Sequence, residues 1–299
     1  MQQIFDKYVH SYLEAEKNLS PNTVRNYKIG MRDFSRFLVL KKITSLEFVD
    51  KDTIRSYLAF LLKEGIKKGT ISGKLSAVRS FFSYLKREEM IRANPVATIS
   101  SPKLDKRLPA FLTQEEVERL LKNPDITKPQ GLRDRALLEL LYASGLRVSE
   151  LVSLRLDQIN TETREIRVIG KGSKERMVMM GLPAARALRE YLNRGRPLLL
   201  QNKASEAVFV NRSGRRIPAR RIQKILNATA KKAGFSKRIY PHLLRHTFAT
   251  HLLDHDADLR VVQELLGHES PQTTQIYTHI TQAQAKKVYL AAHPFAKEE

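Results

Sequence analysis

The chain has 299 residues, 42% of them hydrophobic, which is enough for two domains that each have a core. Its 53 Lys and Arg outnumber its 31 Asp and Glu, and the formal net charge of +22 predicts a polyanionic partner such as nucleic acid. The lack of Cys excludes disulfides, thiol catalysis and Cys-ligated zinc. With no signal-peptide pattern and no membrane-spanning apolar run, we expect a soluble cytoplasmic protein without membrane contact.

Hydrophobic periodicity predicts four amphipathic helices in the N-terminal third of the chain. Apolar side chains recur there at intervals of three and four residues, the spacing of one helical face. The second helix has Ser20 as a predicted N-cap and Pro21 at its first position. The four stripes lie in residues 2–18, 24–38, 54–62 and 71–85. They predict a four-helix bundle in which the aromatic residues are core.

A domain boundary is predicted after this bundle. Asn94-Pro95 is expected to end the fourth helix, because proline disfavours helical geometry in the residue before it. Polar, basic and non-periodic sequence follows, which is typical of an extended linker. We therefore predict an N-terminal DNA-binding domain over residues 1–98, a linker over 99–110 and a second domain over 111–299.

The second domain opens on Thr113 and Glu116, which are spaced as a capping box and predict a helix start. A later helical pattern is interrupted at Gly145–Glu150. Glycine commonly ends helices, so one helix is expected to end there and another to begin. Arg147 then lies at the junction, where its side chain is free to reach a ligand.

A β-hairpin is predicted from two strand-like segments, Glu165–Ile169 and Arg176–Met180. Its six-residue tip, Gly170–Glu175, contains Lys171 and Lys174, and either lysine could reach a phosphate or a leaving oxygen. The alternative is a solvated turn. The predicted fold class is mainly α with a small β-sheet (α+β) in the second domain, and a two-domain DNA clamp overall.

A third short strand is predicted at Ala207–Val210, just before the densest positive cluster in the chain. On a helix starting near Pro218, basic residues three and four apart share a face that could contact a duplex backbone. For the basic residues of the N-terminal bundle, solvated charge is the alternative. The candidates for DNA contact are Lys67, Lys68, Lys74, Arg79, Lys174, Arg215, Arg216, Arg220, Arg221 and Lys224.

The stretch from Pro241 to Tyr277 concentrates reactive side chains. His242 and Arg245 are three residues apart and would share one helical face, and His268 follows a glycine that is expected to end a helix. A guanidinium that grips two phosphate oxygens, two imidazoles and the phenol of Tyr277 together suit attack on a phosphodiester.

Taken together, these motifs resemble the tyrosine site-specific recombinases, and within them the Xer type, over nearly the full length of the chain. The N-terminal bundle then corresponds to a core-binding, SAM-like domain, and the C-terminal helix to an exchange helix. The motifs are Gly145–Leu151, the Gly-Lys-Gly hairpin, His242–His246, Leu266–His268 and Thr274–His279.

The resemblance implies a DNA strand transferase with Tyr277 as the nucleophile that forms a 3′-phosphotyrosine. Arg147 and Arg245 would hold the non-bridging oxygens, and Lys171 would protonate the departing 5′ oxygen. His242 would act in proton transfer and His268 would orient the phosphate. No metal, ATP or other cofactor is implied.

The resemblance also implies partners: double-stranded DNA with a chromosome or plasmid dimer-resolution site, and a tetramer formed with itself or with a related recombinase. A septal DNA translocase is the implied activator. The C-terminal segment carries an apolar stripe that would dock on a neighbouring subunit or on its own domain, formed by Ala285, Val288, Tyr289 and Ala292.

Three alternatives stay open. The first is an integrase or transposase of a mobile element, and the second is a non-catalytic architectural DNA-binding protein. The third is a zinc hydrolase, because His242 and His246, and again His251 and His255, are four residues apart. The Glu of a His-Glu-x-x-His motif is missing, which speaks against the third.

Overall fold

The computed structural model describes residues 2–17, 19–103, 110–170, 175–267 and 282–296. The chain divides into two units, Met1–Leu108 and Pro109–Glu299. Helices dominate both units, and the described residues form one three-stranded sheet, in the second unit. The predicted fold class, mainly α with a small sheet in a two-domain chain, is therefore confirmed.

The N-terminal unit contains the four predicted helices. The first combines α1, Gln2–Lys7, with a π-helical continuation, Tyr8–Glu16; the others are α2, Pro21–Leu40, α3, Lys51–Lys63, and α4, Lys68–Arg87. Ser20 accepts a hydrogen bond from the Thr23 backbone at the start of α2, as its N-cap role predicts. Aromatic rings fill the core between these helices: Phe34 packs edge-on against Tyr57 and Phe82.

The expected end of α4 at Asn94-Pro95 is wrong. The helix ends at Arg87, and Glu89 adopts a left-handed conformation with φ of 57°. The backbone N–H of Met90 then donates to the carbonyl of Leu85, which closes a Schellman-type turn. Because glycine normally occupies such a turn, its formation at a glutamate left no signal in the sequence.

The C-terminal unit is built around the buried helix α6. Its helices are α5, Gln114–Lys122, α6, Pro129–Ser144, α7, Val148–Ser153, α8, Leu182–Glu190, α9, Arg196–Leu200, α10, Ala219–Lys232, α11, Pro241–Asp254, α12, Leu259–Leu266, and α13, Gln282–Ala292. A π-helical stretch, Tyr191–Gly195, joins α8 to α9. The capping box of Thr113 and Glu116 forms in both directions, and Gly145 ends α6 with φ of 58°, as the sequence predicts.

The sheet contains β1, Ile159–Asn160, β2, Glu165–Ile169, and β3, Glu175–Met179, in the order β1-β2-β3. Strands β2 and β3 are antiparallel, and Ile169 pairs with Glu175 at the end next to the tip. The predicted hairpin is confirmed, although Lys171 and Lys174 at its tip lie outside the described residues.

The predicted strand Ala207–Val210 is wrong. This segment makes only isolated bridges, from Ala207 to Arg155 and from Val210 to Arg216. The Tyr191 hydroxyl donates to the carbonyl of Val208 and accepts from the N–H of Val210. The other backbone groups of the segment bond singly to neighbouring segments, for example the N–H of Val208 to the carbonyl of Leu154, so the pairing stays at isolated bridges.

Helix α13 packs within its own chain against α11, α12 and β3. Tyr289 and Ala292 of its apolar stripe are buried in a cluster with Phe248 and Leu265. Of the two expected positions of this segment, the single chain shows docking on its own domain. Among the described residues, every helix is too short or too polar to span a bilayer.

Candidate active site

Arg245 lies one turn into α11 and is almost completely buried, with 7% of its surface exposed. Its Nη1 donates to the carbonyl of Gly145 at 2.7 Å, and its Nη2 donates to the carbonyl of Leu266. Both acceptors are at helix ends, where carbonyls lack partners within the helix. The guanidinium therefore fixes the end of α6 against the end of α12.

Arg147 contacts the same end of helix α12 as Arg245 does. It follows the left-handed Gly145 and precedes α7, and its Nη2 donates to the carbonyl of Gly267 at 3.0 Å. Its side chain keeps 37% of its surface exposed. Two of the predicted catalytic side chains are thus anchored on adjacent carbonyls of α12, and Arg147 is accessible to an anion.

The electrostatics of this region reflect the crowding of positive charge. Burial, followed by the nearby charge of Arg147, lowers the pKa of Arg245 to about 10; Glu150 opposes the shift and Arg176 adds to it. Arg245 still carries its charge at neutral pH. A site with several guanidinium groups and few anions attracts a phosphate.

Glu150 and Arg176 complete the arrangement, and the sequence did not single out either as a site residue. The carboxylate of Glu150 accepts from the backbone N–H and Nη1 of Arg147, at 2.8 and 2.9 Å. It also accepts from both terminal nitrogens of Arg176 at 2.9 Å. Glu150 is the third residue of α7, a position from which a glutamate commonly accepts a hydrogen bond from the N-cap backbone, and this position could have identified it. The contact with Arg176 spans 26 residues, so no local pattern signals it.

The other predicted catalytic residues are placed only in part. His242 is exposed in the first turn of α11, three residues before Arg245. Lys171, His268 and Tyr277 lie outside the described residues. Gly267 is described and ends α12 with φ of 63°, as predicted, directly before His268.

Known proteins share this architecture. The phage integrase family profile matches residues 110–284, and the phage integrase N-terminal SAM-like domain profile matches residues 6–89. Tyrosine recombinase XerC of Pelotomaculum thermopropionicum is 45% identical, with 97% of this chain and 99% of that protein covered. The chain belongs to the phage integrase family of tyrosine recombinases.

Other members of the phage integrase family agree with this assignment. Tyrosine recombinase XerD of Staphylococcus saprophyticus is 39% identical, over 99% of this chain and all of that protein. The crystal structure of the XerH site-specific recombinase bound to a palindromic difH substrate, a post-cleavage complex, superposes with a TM-score of 0.68 at 26% identity. The match covers 92% of this chain and 81% of that one. Tyrosine recombinases cut and rejoin DNA, so the chain is an enzyme of that class.

In this phage integrase family member, several basic candidates for DNA contact already have partners within the protein. Lys74 pairs with Asp33, and Arg79 donates to the carbonyl of Ile99 at 2.8 Å. Arg216 donates to the carbonyls of Val152 and Leu154. The candidates whose side chains are exposed are Lys67, Lys68, Arg215, Arg216, Arg220, Arg221 and Lys224, while Lys174 lies outside the described residues.

One of the two histidine pairs considered for zinc, His251 and His255, has other contacts. His251 is buried, and its Nδ1 lies 2.8 Å from the hydroxyl of Tyr142. The Nδ1 of His255 bonds the carbonyl of His251 at 2.7 Å. Within the described ranges, no group of three or more metal-binding side chains is found.

Proposed function

We propose that this protein is a site-specific recombinase that resolves chromosome or plasmid dimers, with Arg147, Lys171, His242, Arg245 and His268 acting around the nucleophile Tyr277. The observation that carries the assignment of residues is the anchoring of Arg147 and Arg245 on the last carbonyls of α12. The described chain leads from there directly into the segment that contains His268 and Tyr277.

The chemistry follows from these residue types. A free phenol has a pKa of about 10, so Tyr277 must lose its proton as its oxygen bonds to phosphorus, and His242 is the acceptor. Negative charge grows on the non-bridging oxygens, where Arg147 and Arg245 stabilise it with fork-shaped donors. The bond from phosphorus to the 5′ oxygen breaks, and Lys171 supplies a proton to that oxygen. His268 donates a hydrogen bond to the phosphate.

The products explain why exchange is reversible. One phosphate ester bond forms for each one that breaks, so the 3′-phosphotyrosine conserves the energy of the cut linkage. The 5′ hydroxyl of a second strand attacks the phosphotyrosine by the reverse path and releases Tyr277. This balance requires no ATP and no metal.

The proposed assembly is a tetramer on double-stranded DNA, because exchange between two duplexes requires four strand cuts. The XerH structure contains a related recombinase on its difH substrate, which supports DNA of this kind as the partner. Similarity to proteins named XerC and XerD fits a complex of one recombinase or of a related pair. We also propose a septal DNA translocase as the activator, on the strength of the Xer resemblance, and the cytoplasm as the site of action.

A covalent-adduct assay tests this function. The protein is incubated with nicked, labelled DNA that carries a candidate dimer-resolution site, alone and together with a related recombinase. Wild type is expected to form a denaturant-stable adduct, and Tyr277→Phe is expected to bind the same DNA without forming one. An adduct formed equally by Tyr277→Phe would refute the assigned nucleophile. Tight binding by wild type with no adduct at any site would favour an architectural role.

A further inference from the structure

The carboxylate of Glu150 accepts four hydrogen bonds from two arginines. Only 6% of its side chain is exposed, and it accepts two hydrogen bonds from Arg147 and two from Arg176. The two from Arg176 form a bidentate pair, one to each oxygen, which is the strongest geometry for a guanidinium and a carboxylate. Arg176 is therefore the main counter-charge of Glu150.

The charges of this cluster suggest why a second arginine is needed. A buried carboxylate must be compensated, and without Arg176 its nearest cation would be Arg147. Arg147 would then be neutralised by Glu150. With Arg176 present, three guanidinium groups and one carboxylate give the cluster Arg147, Glu150, Arg176 and Arg245 a net charge of +2. That charge matches the two negative charges of a pentacovalent phosphorane.

The pKa of Glu150 agrees with Arg176 being its counter-charge. Burial raises the pKa of this carboxyl, but hydrogen bonds, first from Arg176 and then from Arg147, outweigh it and hold the pKa below its usual value. Glu150 is therefore an anion at neutral pH, and its charge requires a permanent partner.

A second contact links Arg176 to the site. A Cβ placed on Gly267 would lie 3.2 Å from the Cζ, Nε and Nη1 atoms of Arg176, so the guanidinium lies directly against this glycine. The carbonyl of Gly267 is the other acceptor of Arg147. Arg176 thus touches both groups that hold Arg147, while its own side chain is only 17% exposed, compared with 37% for Arg147.

We propose that Arg176 is a positioning residue that neutralises Glu150 and supports Gly267, so that the guanidinium of Arg147 stays oriented and charged for the scissile phosphate. This role rests on the proposed function. It links strand β3, close to the tip of the hairpin, to the arginine pair, and it does not require Arg176 to touch DNA.

The test removes the charges of Glu150 and Arg176, first singly and then together. Single-turnover adduct formation on the nicked substrate is measured for wild type, Arg176→Gln, Glu150→Gln and the double variant, together with DNA affinity and thermal unfolding. Arg176→Gln leaves Glu150 without its counter-charge, and a loss of about 100-fold in rate is expected, the scale for removing one preorganised charge contact. In the double variant the unpaired carboxylate is gone, and a recovery of about 10-fold over Arg176→Gln is expected.

The result that overturns the proposal is a double variant as slow as Arg176→Gln, because Arg176 would then act on the DNA or only on the fold. Should Arg176→Gln unfold, Arg176→Lys provides the test, since it keeps the charge but loses the bidentate fork. The proposal expects it to remain within about 10-fold of wild type. A rate too low to measure in folded Arg176→Lys would contradict a counter-charge role. Absence of an adduct in wild type would count against the proposed function instead.

Discussion

The two units of this protein bury different kinds of side chain. The described core of the N-terminal unit consists of aliphatic and aromatic side chains and Met31. The charged or strongly polar side chains that are buried in the described chain all lie in the C-terminal unit: Arg133, Glu139, Ser144, Glu150, Arg196, Thr229, Arg245, Thr247, His251 and His293. Burying charge is costly unless it is paired. The N-terminal unit is thus held by the packing of apolar side chains, whereas the C-terminal unit also buries guanidinium groups that depend on partners within the protein.

The largest expected effect tests the aromatic core. Phe34 is 1% exposed and packs against Tyr57 and Phe82, so Phe34→Ala leaves a cavity. A loss of about 3–5 kcal/mol in the free energy of unfolding of the N-terminal unit is expected, measured by urea titration with circular dichroism.

The control for this variant is Leu40→Ala on the same helix, because Leu40 is 69% exposed and should cost little. Hydrogen exchange in the C-terminal unit should be the same in both variants. Equal stability of the two variants would show that ring packing around Phe34 does not stabilise the N-terminal unit.

The second-largest effect is expected from a change to the buried guanidinium of Arg245. Arg245→Lys keeps one positive charge but cannot donate to the carbonyls of Gly145 and Leu266 in the same fork. The rate of adduct formation is expected to fall by about 10²–10³-fold, or about 2.7–4 kcal/mol in the barrier.

Arg194→Lys is the matched control for Arg245→Lys. Arg194 pairs with Glu190 on the surface, with 68% of its side chain exposed, and such pairs contribute about 0–1 kcal/mol. Equal rates in the two lysine variants would mean that the buried fork of Arg245 does not matter for catalysis.

The smallest expected effect depends on pH. His293 is 1% exposed, it contacts the rings of Tyr142 and Tyr289, and burial lowers its pKa to about 3. Because this value is below the 6.5 of a free imidazole, protons bind the unfolded chain first. The contribution of the neutral, buried imidazole to the free energy of unfolding is fully present above pH 6.5. It falls by about 1.4 kcal/mol per pH unit as the pH drops from 6.5 toward 3.

His293→Phe should make the stability of the C-terminal unit less dependent on pH in that window, as read by urea unfolding at pH 7.5 and 5. Some dependence should remain, because burial also lowers the pKa of His251. His10→Gln, in the N-terminal unit and exposed, is the control. Identical pH profiles for wild type and His293→Phe would contradict this account of the buried imidazole.

Local chemistry in the sequence was enough to predict most helices and the ends of several. Ser20, the pair Thr113 and Glu116, and Gly145 and Gly267 all act at the helix ends where their residue types are expected. The hairpin of β2 and β3 followed from strand patterns flanking a glycine-rich turn. These features depend on residues close together in the chain, and their types alone predict the backbone conformation.

Tertiary structure decided the rest. The segment Ala207–Val210 has the pattern of a strand, but Tyr191 binds two of its backbone groups and the segment forms only isolated bridges. The positive charges of Lys74 and Arg79 look available for DNA, yet groups 41 and 20 residues away bind them. Grouping Arg147 with Arg245 was implied by family resemblance, but the carbonyls that anchor them and the support from Arg176 appear only when β3, α7 and α12 meet. Hydrogen bonds between distant residues depend on the folded path of the chain, and no local spacing encodes them.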